Sequence, residues 1–151
     1  MVYPIYGTDG GQLWNASIEE VRHGSTAGKF DRIVSVCQDR CENNVAGRIP
    51  YDHFMLADGV ESQQEHGGDC SYTMFEIAAE NISEWVQNEQ VLVHCHAGRS
   101  RSVTICAAII ACERDIGFDK GLQWVTNAQD GRGDPNELLR SHGHRYVYDN
   151  Q

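Results

Sequence analysis

The segment Leu92-Val93-His94-Cys95-His96-Ala97-Gly98-Arg99-Ser100-Arg101-Ser102 leaves an apolar run, turns through a short glycine-containing loop, and enters a second apolar stretch from Val103 to Cys112. A strand that feeds a tight loop and then a helix is a device for holding an anion. The loop amides converge on one point, and the helix N-terminus adds unpaired N–H groups and the positive end of its dipole. Gly98 permits close backbone approach and a dihedral that other residues resist. A cysteine at the base of such a cradle is favoured as its thiolate, with a pKa falling from about 8.5 to roughly 3.5–7.5. Cys95 is therefore the expected nucleophile. Arg101 offers a planar fork with two parallel donors for phosphate oxygens, which lysine cannot reproduce. Ser102 brings a hydroxyl near the sulfur, where it eases departure of the thiolate. His94 is expected to orient the loop through backbone contacts, not to act as a base. His96, Ala97, Gly98, Arg99 and Ser100 complete the loop around the anion. The Gly-x4-Gly-Lys-Ser/Thr pattern of a nucleotide-binding loop does not occur.

Working outward, Val91 to His94 reads as a central strand covered on both faces, because it is apolar throughout. Arg101 to Ile116 is predicted to be a helix closed by Gly117 as its C-cap. Upstream, Phe75, Ala78, Ala79, Ile82, Trp85 and Val86 recur at helical spacing, which gives an amphipathic helix over about 71–88. Arg32 to Cys37 and Tyr51 to Leu56 are further strand candidates, with Ala57 to Gly68 as a polar loop after the second. Val2 to Tyr6 is a first short strand, followed by a Gly-rich turn at Gly7 to Gly11. Ser17-Ile18-Glu19-Glu20 is a capping-box pattern that opens a short helix. Asp119 is expected to cap a helix through about Ala128, and Asn136 to Ser141 to form a last helical segment. The expected fold is thus α/β: a single domain over residues 1–151, with a central mixed, largely parallel sheet of about four or five strands flanked by helices on both faces.

Composition limits what such a domain does. A formal charge of −10, from 12 Lys+Arg against 22 Asp+Glu, disfavours broad binding to nucleic acid or anionic membranes. No apolar run is long enough to insert in a bilayer. Nothing at the N-terminus suggests export, so a soluble, cytoplasmic protein is expected. The six cysteines are expected to be free: Cys37 ends a strand-like run, while Cys106 and Cys112 sit among Ala and Ile, where cysteine behaves as a small hydrophobe. No Cys-x2-Cys pair occurs, and a zinc site is not expected.

Residues 93–102 resemble the His-Cys-x5-Arg-Ser signature of the dual-specificity protein phosphatases, including the Ala-Gly and Ser-Arg-Ser elements of that branch. The flanking strand and helices and the segment around Pro135-Asn136 are similarly arranged, so the resemblance covers most of residues 30–145. It implies a phosphocysteine mechanism without metal or other cofactor. It also implies an aspartate as general acid, on the loop after the strand that precedes the long helix. Asp58, in Tyr51-Asp52-His53-Phe54-Met55-Leu56-Ala57-Asp58-Gly59, fits that position. Asp69 is the reserve candidate, Asp52 lies inside the presumed strand, and Asp134 is weakest.

The resemblance implies phosphorylated protein substrates: phosphotyrosine, with phosphoserine and phosphothreonine. The alternative is a lipid or other non-protein phosphomonoester, such as phosphatidylglycerophosphate or a phosphoinositide, with His96 and Arg99 adding positive charge. A binding module that recognises phosphate without turnover is a third reading, opposed by the presence of both a nucleophile and an acid. Oligomeric state is left open by the sequence.

Overall fold

A computed structural model describes residues 2–23, 29–41 and 49–151 of the chain. Five strands form one sheet: β1 (Tyr3–Gly7), β2 (Gln12–Ala16), β3 (Arg32–Ser35), β4 (Tyr51–His53) and β5 (Gln90–His94). Their spatial order is β1-β2-β5-β3-β4. β1 and β2 are an antiparallel hairpin, whereas β2, β5, β3 and β4 run parallel. The sheet is therefore mixed and largely parallel, as expected.

β5 is central, and Val91, Leu92 and Val93 are all fully buried. Side chains alternate across a strand, so these residues serve two cores. Val91 and Val93 join Leu13 and Val34 on one face, and Leu92 joins Ile33 and Ala16 on the other. The first face is covered by α3 (Tyr72–Trp85), α4 (Arg101–Arg114), α5 (Phe118–Ala128) and α6 (Glu137–Asn150). The second is covered by the five-residue α1 (Ile18–Arg22) and by Phe30 and Cys41. Helices thus lie on both faces, but unequally. α4 is buried all round from Arg101 to Ala111, which is why its sequence shows no polar face. Gly121 lets α5 lie against it, since a Cβ there would fall 2.3 Å from the Ala107 carbonyl oxygen.

The structure corrects several boundaries. α4 ends at Arg114, and its cap is Asp115 in the left-handed region (φ 53°, ψ 50°). Gly117 instead precedes α5 as its N-cap, and Asp119 sits in the first turn without capping it. α6 begins after Asn136, whose side chain accepts from the Leu139 amide, and runs on to Asn150, well beyond Ser141. β2 and α2 (Val60–His66) were not expected. Gln12 and Asn15 break the apolar signature of β2, and α2 buries no residue, so no period reveals it. The capping box at Ser17 is formed as expected, with reciprocal bonds to Glu20. Among the described residues, no helix is long and apolar enough to cross a membrane.

Candidate active site

The loop from Cys95 to Ser100 leaves the C-terminal end of β5, beside the ends of β2 and β3. Open α/β sheets place their ligands at this edge. Its carbonyls are turned away from the cradle and held from behind. His96 O accepts from the Ile18 amide at 3.0 Å and Arg99 O from the Asp134 amide at 2.9 Å. Gly98 O accepts from Asn15 Nδ2 at 3.0 Å and Gln129 Nε2 at 3.2 Å. These two amide side chains are themselves joined, Asn15 Nδ2 donating to Gln129 Oε1 at 2.8 Å. Gly98 takes φ +70°, and a Cβ there would sit 3.0 Å from the Ala16 carbonyl oxygen. Glycine meets both the dihedral and the close approach.

Cys95 is buried, with its sulfur 3.2 Å from Ser102 Oγ. Burial alone raises its pKa. The Ser102 hydroxyl, the backbone amides of Ser102 and Ser100, and the Arg101 charge together outweigh it, so the net shift is downward. Cys106, equally enclosed but surrounded by apolar helix, is pushed up by burial. Cys37 is likewise pushed up to about 12. All six cysteines are free.

His94 accounts for part of the loop's support. One ring nitrogen lies 3.2 Å from the Cys95 carbonyl oxygen and the other 2.5 Å from Ser35 Oγ, which in turn meets the Tyr51 hydroxyl at 2.6 Å. Burial pushes the imidazole down to about 4.

Arg101 is anchored chiefly through one guanidinium nitrogen. Nη1 donates to Gln38 Oε1 at 2.7 Å and to the Leu56 carbonyl at 3.0 Å. Nε is buried without a hydrogen-bond partner, 4.0 Å from Asp58 Oδ1. The same Asp58 oxygen accepts from Ser100 Oγ at 2.9 Å, and the Asp58 carbonyl accepts from Asn136 Nδ2 at 2.6 Å. Asp58 is thereby brought to the loop's rim. The other aspartates are engaged elsewhere: Asp69 accepts from the Ser71 amide at the start of α3, Asp52 pairs with Arg32, and Asp134 is exposed and pairs with Arg140. A cavity of about 450 Å³ opens over Arg101, bounded by Gln38, Asp39, Ser62, His66 and His96. A larger groove of about 580 Å³ lies on α5 beside Trp124 and Lys120, and includes none of the loop residues.

Four residues at this site escape a reading of the sequence: Asn15, Gln38, Gln129 and Asn136. Gln38 follows directly on the end of the β3 run, a position that α/β topology marks as near the ligand. Asn15 and Gln129 act through tertiary contacts between distant segments, which no local pattern signals.

Comparison with known proteins agrees with this geometry. No family model matches the chain. Human dual specificity protein phosphatase 2 is 46% identical over 44 residues, 28% of this chain and 14% of that protein. The chain thus spans well under two thirds of the curated relative it matches. A single-substitution form of human DUSP28 superposes with a TM-score of 0.74 at 17% identity, covering 98% of this chain and 94% of that one. The fold is that of the dual-specificity phosphatases. The Yvh1 phosphatase domain from Chaetomium thermophilum superposes with a TM-score of 0.72 at 17% identity, over 99% and 96% of the two chains. A mouse putative dual specificity phosphatase gives 0.69 at 19% identity, over 91% and 82%. The dual-specificity resemblance first read in the loop therefore extends along nearly the whole chain as a fold.

Proposed function

We propose that this chain is a dual-specificity-type phosphatase that hydrolyses phosphotyrosine, and phosphoserine or phosphothreonine, in proteins through a phosphocysteine intermediate. The observation that carries the reading is the placing of Cys95, its pKa lowered in the loop and its sulfur 3.2 Å from Ser102 Oγ, with Arg101, which lines the cavity over the loop.

The chemistry runs in two steps. The Cys95 thiolate attacks phosphorus while Arg101 and the loop amides hold the equatorial oxygens. The phosphorus–oxygen bond breaks, and Asp58 protonates the departing oxygen. Asp58, now a carboxylate, takes a proton from water, whose oxygen attacks the phosphocysteine. The sulfur–phosphorus bond breaks, phosphate leaves, and Ser102 donates a hydrogen bond to the restored thiolate. His94 stays neutral and positions the loop. The free thiols support a reducing, cytoplasmic setting.

Hydrolysis of p-nitrophenyl phosphate tests the scheme. Cys95→Ser is expected to abolish turnover, and Asp58→Asn to lower kcat about 10²-fold or more while removing the fall in rate at high pH. A high-pH limb retained in Asp58→Asn and lost in Asp69→Asn would move the acid to Asp69.

A further inference from the structure

The 450 Å³ cavity over Arg101 adjoins a second cavity of about 380 Å³ along α2; the two share Ser62 and His66. The second is bounded by Asp58, Glu61, Glu65 and Asn136 as well. Together they form a groove running from the phosphate loop along α2 towards the start of α6. Its charge is one-sided. Asp39, Asp58, Glu61 and Glu65 line it beside His66 and His96, and Arg101 is the one guanidinium or ammonium among the described lining residues. Among the described arginines nearby, Arg140 donates to the Pro135 carbonyl and pairs with Asp134 at 3.3 Å, Arg40 lies against His53 and the Tyr51 ring, and Arg99 lines neither cavity.

This distribution matters once phosphate is bound. Arg101 lines the cavity beside the loop, and an anion held there neutralises that one cation. What remains beside it is a groove of carboxylates, close enough to act within a Debye length of about 10 Å at 0.1 M salt. A second anionic group there meets repulsion, and a cation meets attraction. α2 buries none of its residues, and both Glu61 and Glu65 stay at the surface, Glu65 with the His66 ring 3.7 Å away.

We infer that the substrate is a phosphorylated peptide segment carrying lysine or arginine beside the phosphorylated residue, with that cation seated against Glu61 and Glu65. The inference rests on the phosphatase reading above and adds the substrate's flank to it. A polyanionic lipid headgroup, with its further phosphate, places negative charge against the same carboxylates and is disfavoured.

Three phosphotyrosine peptides that differ only in Arg, Ala or Glu flanking the phosphotyrosine separate these outcomes, compared at low salt with vesicles containing a phosphoinositide. The expected order of kcat/KM is Arg, then Ala, then Glu, with about a threefold step per charge, narrowing as salt is raised. The Glu61→Lys, Glu65→Lys double variant is expected to reverse the order among the three peptides, each rate being taken relative to that of the same variant on p-nitrophenyl phosphate. Equal rates on the three peptides, an order untouched in the double variant, or faster release of phosphate from the vesicles overturns the inference. If p-nitrophenyl phosphate is not hydrolysed at all, the phosphatase reading fails instead. The flank is then read from direct binding of the same peptides, where loss of the Arg-over-Glu order sinks it.

Discussion

The floor and the wall of this site are built in opposite ways. The floor, residues 95–101, is rooted by buried Cys95, Gly98 and Arg101, and its carbonyls at His96, Gly98 and Arg99 are each fixed by a donor from another element. The wall, α2, buries nothing and is tied to the floor's arginine through one side chain, Gln38. The difference separates two tasks. A site that holds a thiolate must pre-position its donors before the substrate arrives, whereas a surface that selects among substrates gains from being replaceable without cost to the core.

Among substitutions that leave every reacting side chain in place, the largest effect is expected where the floor is tightest. Gly98→Ala places a Cβ 3.0 Å from the Ala16 carbonyl oxygen at φ +70°, so the loop must shift and its amides lose their aim. Losing one such donor costs about 10²–10³-fold in kcat, and p-nitrophenyl phosphate hydrolysis reads it directly. Retained activity would mean that the amides do not hold the transferring group.

The same contrast explains how much the sequence discloses. The floor was legible because its chemistry and its geometry are both local: strand, glycine, cysteine and arginine follow one another within a few residues, and α4 announces itself by its apolar length. Asp58 was placed by resemblance, and the structure brings it to the loop's rim through Ser100 and Asn136. The wall was read as a loop because Val60–His66 has neither an apolar period nor a capping side chain, Gly59 standing at its N-cap. β2 was missed because Asn15 spends its side chain on Gly98 rather than on the core. Such a residue looks like a strand breaker until its distant partner is known.

A second prediction concerns the floor's dependence on pH. Folding favours the neutral His94 imidazole, pushed down to about 4 by burial. Its contribution to stability is therefore complete above the ordinary histidine pKa of about 6.5, and is lost as pH falls through about 4. Urea unfolding of the wild type over that window is expected to show a loss on the order of 2–3 kcal/mol, and His94→Asn to show a flatter profile. A wild-type profile as flat as that of the variant would remove His94 as the acid-sensitive support.

The smallest effect tests the joint between floor and wall. Gln38 accepts from Arg101 Nη1 through its oxygen, and donates through its nitrogen to Ser62 Oγ at 2.8 Å and to the Gly67 carbonyl at 3.2 Å. Gln38→Ala loses both halves, and is expected to raise KM for p-nitrophenyl phosphate about threefold with a lesser change in kcat, because Arg101 keeps its bond to Leu56 O. Gln38→Glu keeps an acceptor for Arg101 but cannot donate to α2. If the wall is held through this amide, the glutamate variant loses discrimination among flanking residues of peptides when each rate is taken relative to that on the small substrate. If both variants discriminate as the wild type does, α2 is held by its own backbone turns, and the two regions are independent despite their contact.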